Sequence, residues 1–327
     1  MKLGKIFAAL VMSLIFLSGT SFAAPAWKLP AHGKIFADDA AKAAYVDDYA
    51  KKFFAGQIKT TFAVPDGWTH EKFSVNGVAV ERLTNPKQKK SNRVALQFHG
   101  GGYISGLGDL HRNLAVKQAV LTHAREIWLV DYQLAPQNFY PAALDDAKQV
   151  YAEILRRGVD PKKLIVFGDS AGGNLALELS IYLREKNLPQ PAALILASPW
   201  TTFETNLPSR IQNVDRDKIL GSINPQMYNE VCNPSYAGDL LLNDPRLSPI
   251  HADLSNLPPI LIQVGGEELF LDEGVELLKK SAANGLNVTL TVYAGMSHDF
   301  AVVIPELDDT IKSFAEIKNF VAVNVPK

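Results

Sequence analysis

Gly168-Asp169-Ser170-Ala171-Gly172 sets a serine between two glycines at the spacing G-x-S-x-G. An apolar run at 164–167 precedes it and a helix-compatible apolar run at 175–183 follows. A strand, a sharp turn and a helix in that order lift the serine hydroxyl clear of the sheet and present it as a nucleophile. A second glycine cluster, His99-Gly100-Gly101-Gly102-Tyr103, directly follows the apolar run 93–98. Glycines at a strand end let backbone N–H groups point into a site with no side chain in the way. The expected donors to a developing oxyanion are the N–H groups of Gly101, Gly102 and Ala171. Loss of one such donor typically costs about 3 kcal/mol of transition-state stabilisation. The cluster matches neither G-x-G-x-x-G with a ribose-binding acid nor G-x4-G-K-[ST], which argues against a phosphate loop.

A serine nucleophile needs a base. Of the seven histidines, His298 stands out, in Gly295-Met296-Ser297-His298-Asp299-Phe300 just after the last strand candidate. That loop lies on the same sheet edge as the serine turn. His99 belongs to the glycine cluster and braces it, and His111 opens a helix. The orienting acid should lie between serine and histidine in the chain. Glu267, Glu268, Asp272 and Glu273 crowd the loop after the run 260–264. Asp272 and Glu273 suit a helix N-terminus electrostatically, whereas Glu267 and Glu268 sit at the strand end; the residues alone leave the choice open. The chemistry is acyl transfer to water through a Ser-His-acid relay and an acyl-enzyme. The base must be neutral, so activity is expected to fall below about pH 6 to 7.

These residues must be held by strands alternating with helices. Strands are predicted at 93–98, 127–131, 164–167, 193–197, 260–264 and 288–292, and helices at 112–123, 144–157, 171–185 and 274–284. The alternation implies an α/β fold with a mostly parallel central sheet and helices on both faces. The strands are continuous apolar runs, as a sheet buried on both faces requires. Two segments break the rhythm, 24–75, with a helix around 38–54, and about 203–247. Both are read as a cap over the C-terminal edge of the sheet.

The chain of 327 residues opens with Lys2 and Lys5, an apolar run at 6–17 and small residues ending at Ala23. That is the pattern of a signal peptide over 1–23, which predicts a secreted or periplasmic protein with no stable membrane span in its mature form. One catalytic domain, 24–327, remains. Without Lys2 and Lys5 it carries 31 basic against 34 acidic residues, so nothing favours nucleic acid as a partner. Cys232 is the only cysteine, which excludes an intrachain disulfide. No metal-binding motif is present, and the proposed chemistry needs neither metal nor cofactor.

The chain resembles the hormone-sensitive-lipase-like family of α/β-hydrolase esterases over roughly residues 75–322. His99-Gly-Gly-Gly-Tyr103 matches the family's oxyanion motif and Gly168-Asp169-Ser170-Ala171-Gly172-Gly173 its nucleophile turn. Asp131-Tyr132-Gln133-Leu134-Ala135-Pro136, Ser198-Pro199-Trp200, Leu257-Pro258-Pro259 and Ser297-His298-Asp299-Phe300 continue the match in order. The resemblance implies the α/β-hydrolase fold and a serine carboxylesterase acting on small-molecule esters of short to medium acyl chain. It places the acid four residues before the Asp272-Glu273-Gly274 that opens a helix, at Glu268, with Asp272 second. It also implies a possible homodimer. The chain departs from the family at Gln133, Gln137 and Thr202, where charged residues are common. A lactonase or acetyl-esterase would share the chemistry, and a non-catalytic ligand receptor would share the fold alone.

Overall fold

The structure, a computed structural model, describes residues 25–326. The expected signal peptide at 1–23 lies outside the described residues. Helix α1 (Asp39–Phe54) is capped by Asp38, whose side chain accepts the Ala41 N–H. Strands β1 (Thr69–Val75) and β2 (Val78–Thr84) then form a hairpin. Its turn residues Asn76 and Gly77 both take positive φ, 50° and 97°, the geometry that follows the twist of a two-residue hairpin. There follow β3 (Val94–Phe98), α2 (Asp109–Thr122), β4 (Glu126–Asp131), α3 (Ala142–Arg156), β5 (Leu164–Asp169), α4 (Ala171–Glu185) and β6 (Ala193–Ala197). Two short helices, α5 (Pro208–Gln212) and α6 (Pro225–Cys232), interrupt the alternation. It resumes with β7 (Ile260–Gly265), α7 (Leu271–Ala283), β8 (Val288–Tyr293), α8 (Phe300–Val303) and α9 (Asp308–Asn324).

The eight strands make one sheet in the order β1-β2-β4-β3-β5-β6-β7-β8. The pairs from β4 through β8 are parallel, and β1-β2 and β2-β4 are antiparallel. Strands β3, β5 and β7 are buried along their whole length, because helices cover both faces. On β7 the alternation is explicit. The Gln263 side chain reaches Ser313 and Glu316 of α9, while its neighbours Ile262 and Val264 lie under Gly274 of α7. Successive strand side chains point to opposite faces, so α7 and α9 lie on opposite sides.

The structure adds the strands β1 and β2 and the helix α9 to the elements expected from sequence. The segment 24–75 ends inside the sheet, because Thr69–Val75 is an edge strand. Most of β1 is in water, with only Val75 buried, so it lacks the apolar run of the central strands. In α9, Ile311, Phe314, Ile317 and Val321 supply the buried stripe. The N-terminal segment is fastened to the chain just before and within α9. Gly33 N donates to Asp308 Oδ1 at 3.0 Å, and Tyr45 Oη donates to Glu306 Oε1 at 2.5 Å.

Helix α5 is clamped to α7 by a buried ion pair. Arg210 Nε donates to Glu273 Oε1 at 2.8 Å, and Glu273 Oε2 accepts the N–H groups of Thr201 and Thr202 at 2.6 and 3.0 Å. The guanidinium also lies 4.3 Å from the Phe270 ring centroid. Arg210→Ala leaves the Glu273 charge buried and unpaired, with an expected loss of about 3–5 kcal/mol in urea denaturation. Lys51→Ala, which removes an exposed pair with Asp47, is expected to cost less than about 1 kcal/mol. Equal costs for the two would contradict this account of the clamp.

Candidate active site

Ser170 sits at the junction of β5 and α4 with φ 52° and ψ −119°. A non-glycine residue held in such a region stores about 1–3 kcal/mol of strain. Four backbone hydrogen bonds fix it there. Ser170 N donates to Ala197 O at 3.0 Å, and the Ser170 carbonyl accepts from Gly173, Asn174 and Trp200 at 3.0, 3.2 and 3.1 Å. In the first turn of α4, a methyl group on Gly172 would overlap the Phe98 and His99 carbonyls. The helix start and the end of β3 therefore meet backbone to backbone. Among the described residues, nothing hydrogen-bonds the Ser170 hydroxyl.

The glycine loop after β3 faces that helix start. Gly101 and Gly102 take φ of 113° and 63°. Asp169 Oδ2 accepts Gly100 N at 2.8 Å, Tyr132 Oη donates to His99 O at 2.5 Å, and Tyr103 Oη donates to Asn174 Oδ1 at 2.7 Å. The N–H groups of Gly101, Gly102 and Ala171 find no acceptor among the described residues. His99 stacks on Tyr132 at 4.2 Å, and its Nδ1 pairs with Gly100 O at 2.8 Å. Burial pushes His99 down to about 4, so it braces the loop as a neutral ring. Burial, then His99 and Arg112, push His111 down to about 3. Above the loop, a methyl group on Gly102 would stand 3.2 Å from Met227 Cε and 3.6 Å from Glu230 Cγ, both on α6.

His298 and Glu268 are both buried and lie close enough to act on each other's ionisation. Glu268 Oε2 accepts from Ser198 Oγ and from Gly265 N, each at 2.7 Å, while Glu268 Oε1 has no partner. His298 Nδ1 is likewise unpartnered, and Nε2 lies 3.1 Å from Asp299 Oδ2. Burial pushes the Glu268 carboxyl up, with His298 and the Ser198 hydroxyl pulling it back. For His298, burial alone would lower the imidazole. Asp299, Glu268 and Asp217 outweigh it and hold the ring up to about 9. Asp272 is occupied elsewhere, with Oδ2 accepting Ser209 N at 2.7 Å. Glu267 reaches outward to Arg216 at 2.9 Å.

Three positioning residues escaped the sequence reading. Asp217, in the segment between β6 and β7, accepts His298 N at 3.3 Å on Oδ1 and Leu269 N at 2.9 Å on Oδ2. It thereby ties the histidine loop to the acid loop. Asn213 Nδ2 donates to the Glu268 carbonyl at 2.9 Å. Asp299, with φ 49°, faces the histidine ring and receives nothing at its Oδ1. Adjacency to His298 could have flagged Asp299. Asp217 acts across long sequence separations, with no local pattern to mark it. Gln133 donates its backbone N and its side-chain amide to Asp146 at 2.8 and 3.1 Å. Among the described residues, no cluster of His, Cys, Asp and Glu is arranged to hold a metal. No helix among them is long and apolar enough to cross a membrane.

Residues 95–302 match the family described as alpha/beta hydrolase fold. An esterase of Acinetobacter venetianus is 33% identical over 233 residues, 71% of this chain and 76% of its own length. An acetyl-hydrolase of Streptomyces hygroscopicus is 32% identical over 64% of this chain and 69% of its own. A solved esterase from the bacterial hormone-sensitive lipase family superposes with a TM-score of 0.75 at 29% identity, covering 90% of this chain and 94% of that one. On the family match, these relatives and the superposed esterase structure, the chain belongs to the α/β-hydrolase fold family, in its hormone-sensitive-lipase-like branch, and is a carboxylic ester hydrolase.

Proposed function

We propose that the protein is a serine carboxylesterase that hydrolyses short- to medium-chain acyl esters through Ser170, His298 and Glu268. The observation that carries the reading is the strained Ser170 turn beside three N–H groups that lack acceptors. In this mechanism Ser170 Oγ attacks the ester carbonyl and His298 Nε2 takes its proton. Gly101, Gly102 and Ala171 donate to the oxyanion, where preorganised donors stabilise developing charge without reorganising. Glu268 Oε1 and His298 Nδ1, both buried and unpartnered, are the two atoms that an orienting hydrogen bond would join. For Nε2 to face Ser170, the ring must leave Asp299. The tetrahedral intermediate then collapses, breaking the bond to the alcohol, which leaves with the proton from His298; water, deprotonated by His298, attacks the acyl-enzyme in the same way and frees the acid and Ser170.

Segment 203–247 and the N-terminal segment act as the cap in this reading. Met227 and Glu230, seated above Gly102, narrow the space over the oxyanion loop, which supports short acyl chains. The acetyl-hydrolase relative favours acetyl esters as a second reading. Export through the segment ending at Ala23, to the periplasm or the medium, is part of the proposal.

The direct test is hydrolysis of p-nitrophenyl esters from acetate to palmitate. Ser170→Ala is expected to lose several orders of magnitude in kcat, with a rate optimum among the shorter chains. Glu268→Gln should lose far more than Asp272→Asn; the reverse order would reassign the acid. A steep optimum at acetate favours the acetyl-esterase reading, and no hydrolysis of any ester would refute the general esterase.

The pH profile tests the electrostatics. A raised pKa keeps the imidazole protonated to higher pH, so the neutral base accumulates as pH climbs toward about 9. The rise in kcat/KM should therefore extend above the pH 6 to 7 expected of an ordinary histidine. Asp299→Asn removes an adjacent negative charge and should move that limb down by about one to three units. A limb that stays fixed in Asp299→Asn would exclude Asp299 from control of the base.

A further inference from the structure

A cavity of ≈ 210 Å³ lies between the N-terminal segment and the helices α2 and α8. Trp27, Tyr49, Leu114, Val302 and Val303 supply its largely apolar wall, and Lys117 lines it as well. It takes in none of Ser170, Glu268, His298 or the oxyanion glycines. No Asp or Glu lines it.

Lys117 is the unusual member of this wall. Among the described residues, its ammonium forms no ion pair or hydrogen bond, and its ring neighbour is Phe314, with the centroid 5.5 Å away. Phe314 in turn meets Trp27 edge-on at 5.9 Å. Glu306, the acid that acts on Lys117 electrostatically, gives its Oε1 to the Tyr45 hydroxyl at 2.5 Å. Lys117 is half-buried against this apolar wall, and a bound anion would supply the charge partner that its ammonium lacks. The volume is below the about 300–1,000 Å³ of sites for drug-sized ligands, which restricts the occupant to a short chain. The apolar wall calls for an aliphatic body, and the lysine calls for one negative charge.

We propose that this cavity binds a short aliphatic carboxylic acid of about four to eight carbons, its carboxylate on Lys117 and its chain against Trp27, Leu114 and Val302. Ester hydrolysis releases acids of this class. That the ligand is the enzyme's own product rests on the esterase reading, whereas the binding itself does not. Burial, partly opposed by Glu306, pushes the Lys117 ammonium down to about 8. A carboxylate beside it favours the charged form, so binding takes up a proton near that pH and weakens as pH rises through it. Tyr49, the other titratable group on the wall, is pushed up to about 12 by burial and then Glu306, and stays neutral there.

The test is calorimetric titration of hexanoate into Ser170→Ala protein, which cannot turn over and so separates binding from activity. At pH 8, titrations in buffers of different ionisation enthalpy should show uptake of about half a proton. Lys117→Met in the same background should weaken hexanoate at least tenfold and leave 1-hexanol unchanged. No heat at any concentration up to tens of millimolar, or binding without proton uptake, would overturn the proposal. Equal hexanoate affinity with and without Lys117 would also overturn it, by assigning the acid to the catalytic pocket.

Discussion

The first turn of α4 touches the ends of β3 and β5 with no side chain between them, and the geometry of the candidate site depends on that contact. Gly172 meets the Phe98 and His99 carbonyls, and Gly168 meets the backbone of Gly172 and Gly173. Backbones this close leave Ser170 one way to connect strand to helix, through φ 52° and ψ −119°. The strain is affordable because the Ser170 carbonyl accepts three N–H groups and its own N–H reaches β6. The same approach brings the helix N-terminus alongside Gly101 and Gly102. A partial positive charge at a helix N-terminus, with unused N–H donors, is suited to an oxyanion. Strain at Ser170 and N–H groups without acceptors are thus two consequences of one packing constraint.

The other half of the site is organised by carboxylates. Asp217, Glu268 and Asp299 all act on His298, but they are held in different ways. Asp217 spends both oxygens on backbone N–H groups, of Ile219, Leu220, Leu269 and His298. It is a strut between loops. Ser198 links the other two, donating to Glu268 Oε2 and accepting Asp299 N at 3.0 Å. Glu268 and Asp299 retain one unpartnered oxygen each. A histidine between two such acids has two carboxylates competing for its ring nitrogens. In this structure Nε2 lies at Asp299 and Nδ1 has no partner.

Much of this was legible in the chain because it is local. The strand Ala193–Ala197 and the helix Ala171–Glu185 have the ends that their apolar runs predict. The serine turn and the glycine loop are contiguous motifs whose spacing carries their geometry. The hairpin β1-β2 went unread, because an edge strand largely in water lacks the continuous apolar run of the buried strands. Helix α9 carried a helical stripe that went unread. What the chain could not reveal was the work of the segment between β6 and β7. Asp217 lies 52 residues from Leu269 and 81 from His298, and only the fold brings its two oxygens between them. The choice among four crowded acids was closed to spacing for the same reason, since Glu268, Glu267 and Asp272 differ in what crosses over to meet them.

The central claim is that the strained serine is the nucleophile. Its most direct test is covalent: incubation with p-nitrophenyl diethyl phosphate, followed by intact-mass measurement and peptide mapping. The account predicts a single diethylphosphoryl adduct on Ser170, formed in step with loss of esterase activity and absent from Ser170→Ala protein. Inactivation with the adduct on another residue, or full esterase activity in a protein modified at Ser170, would contradict it.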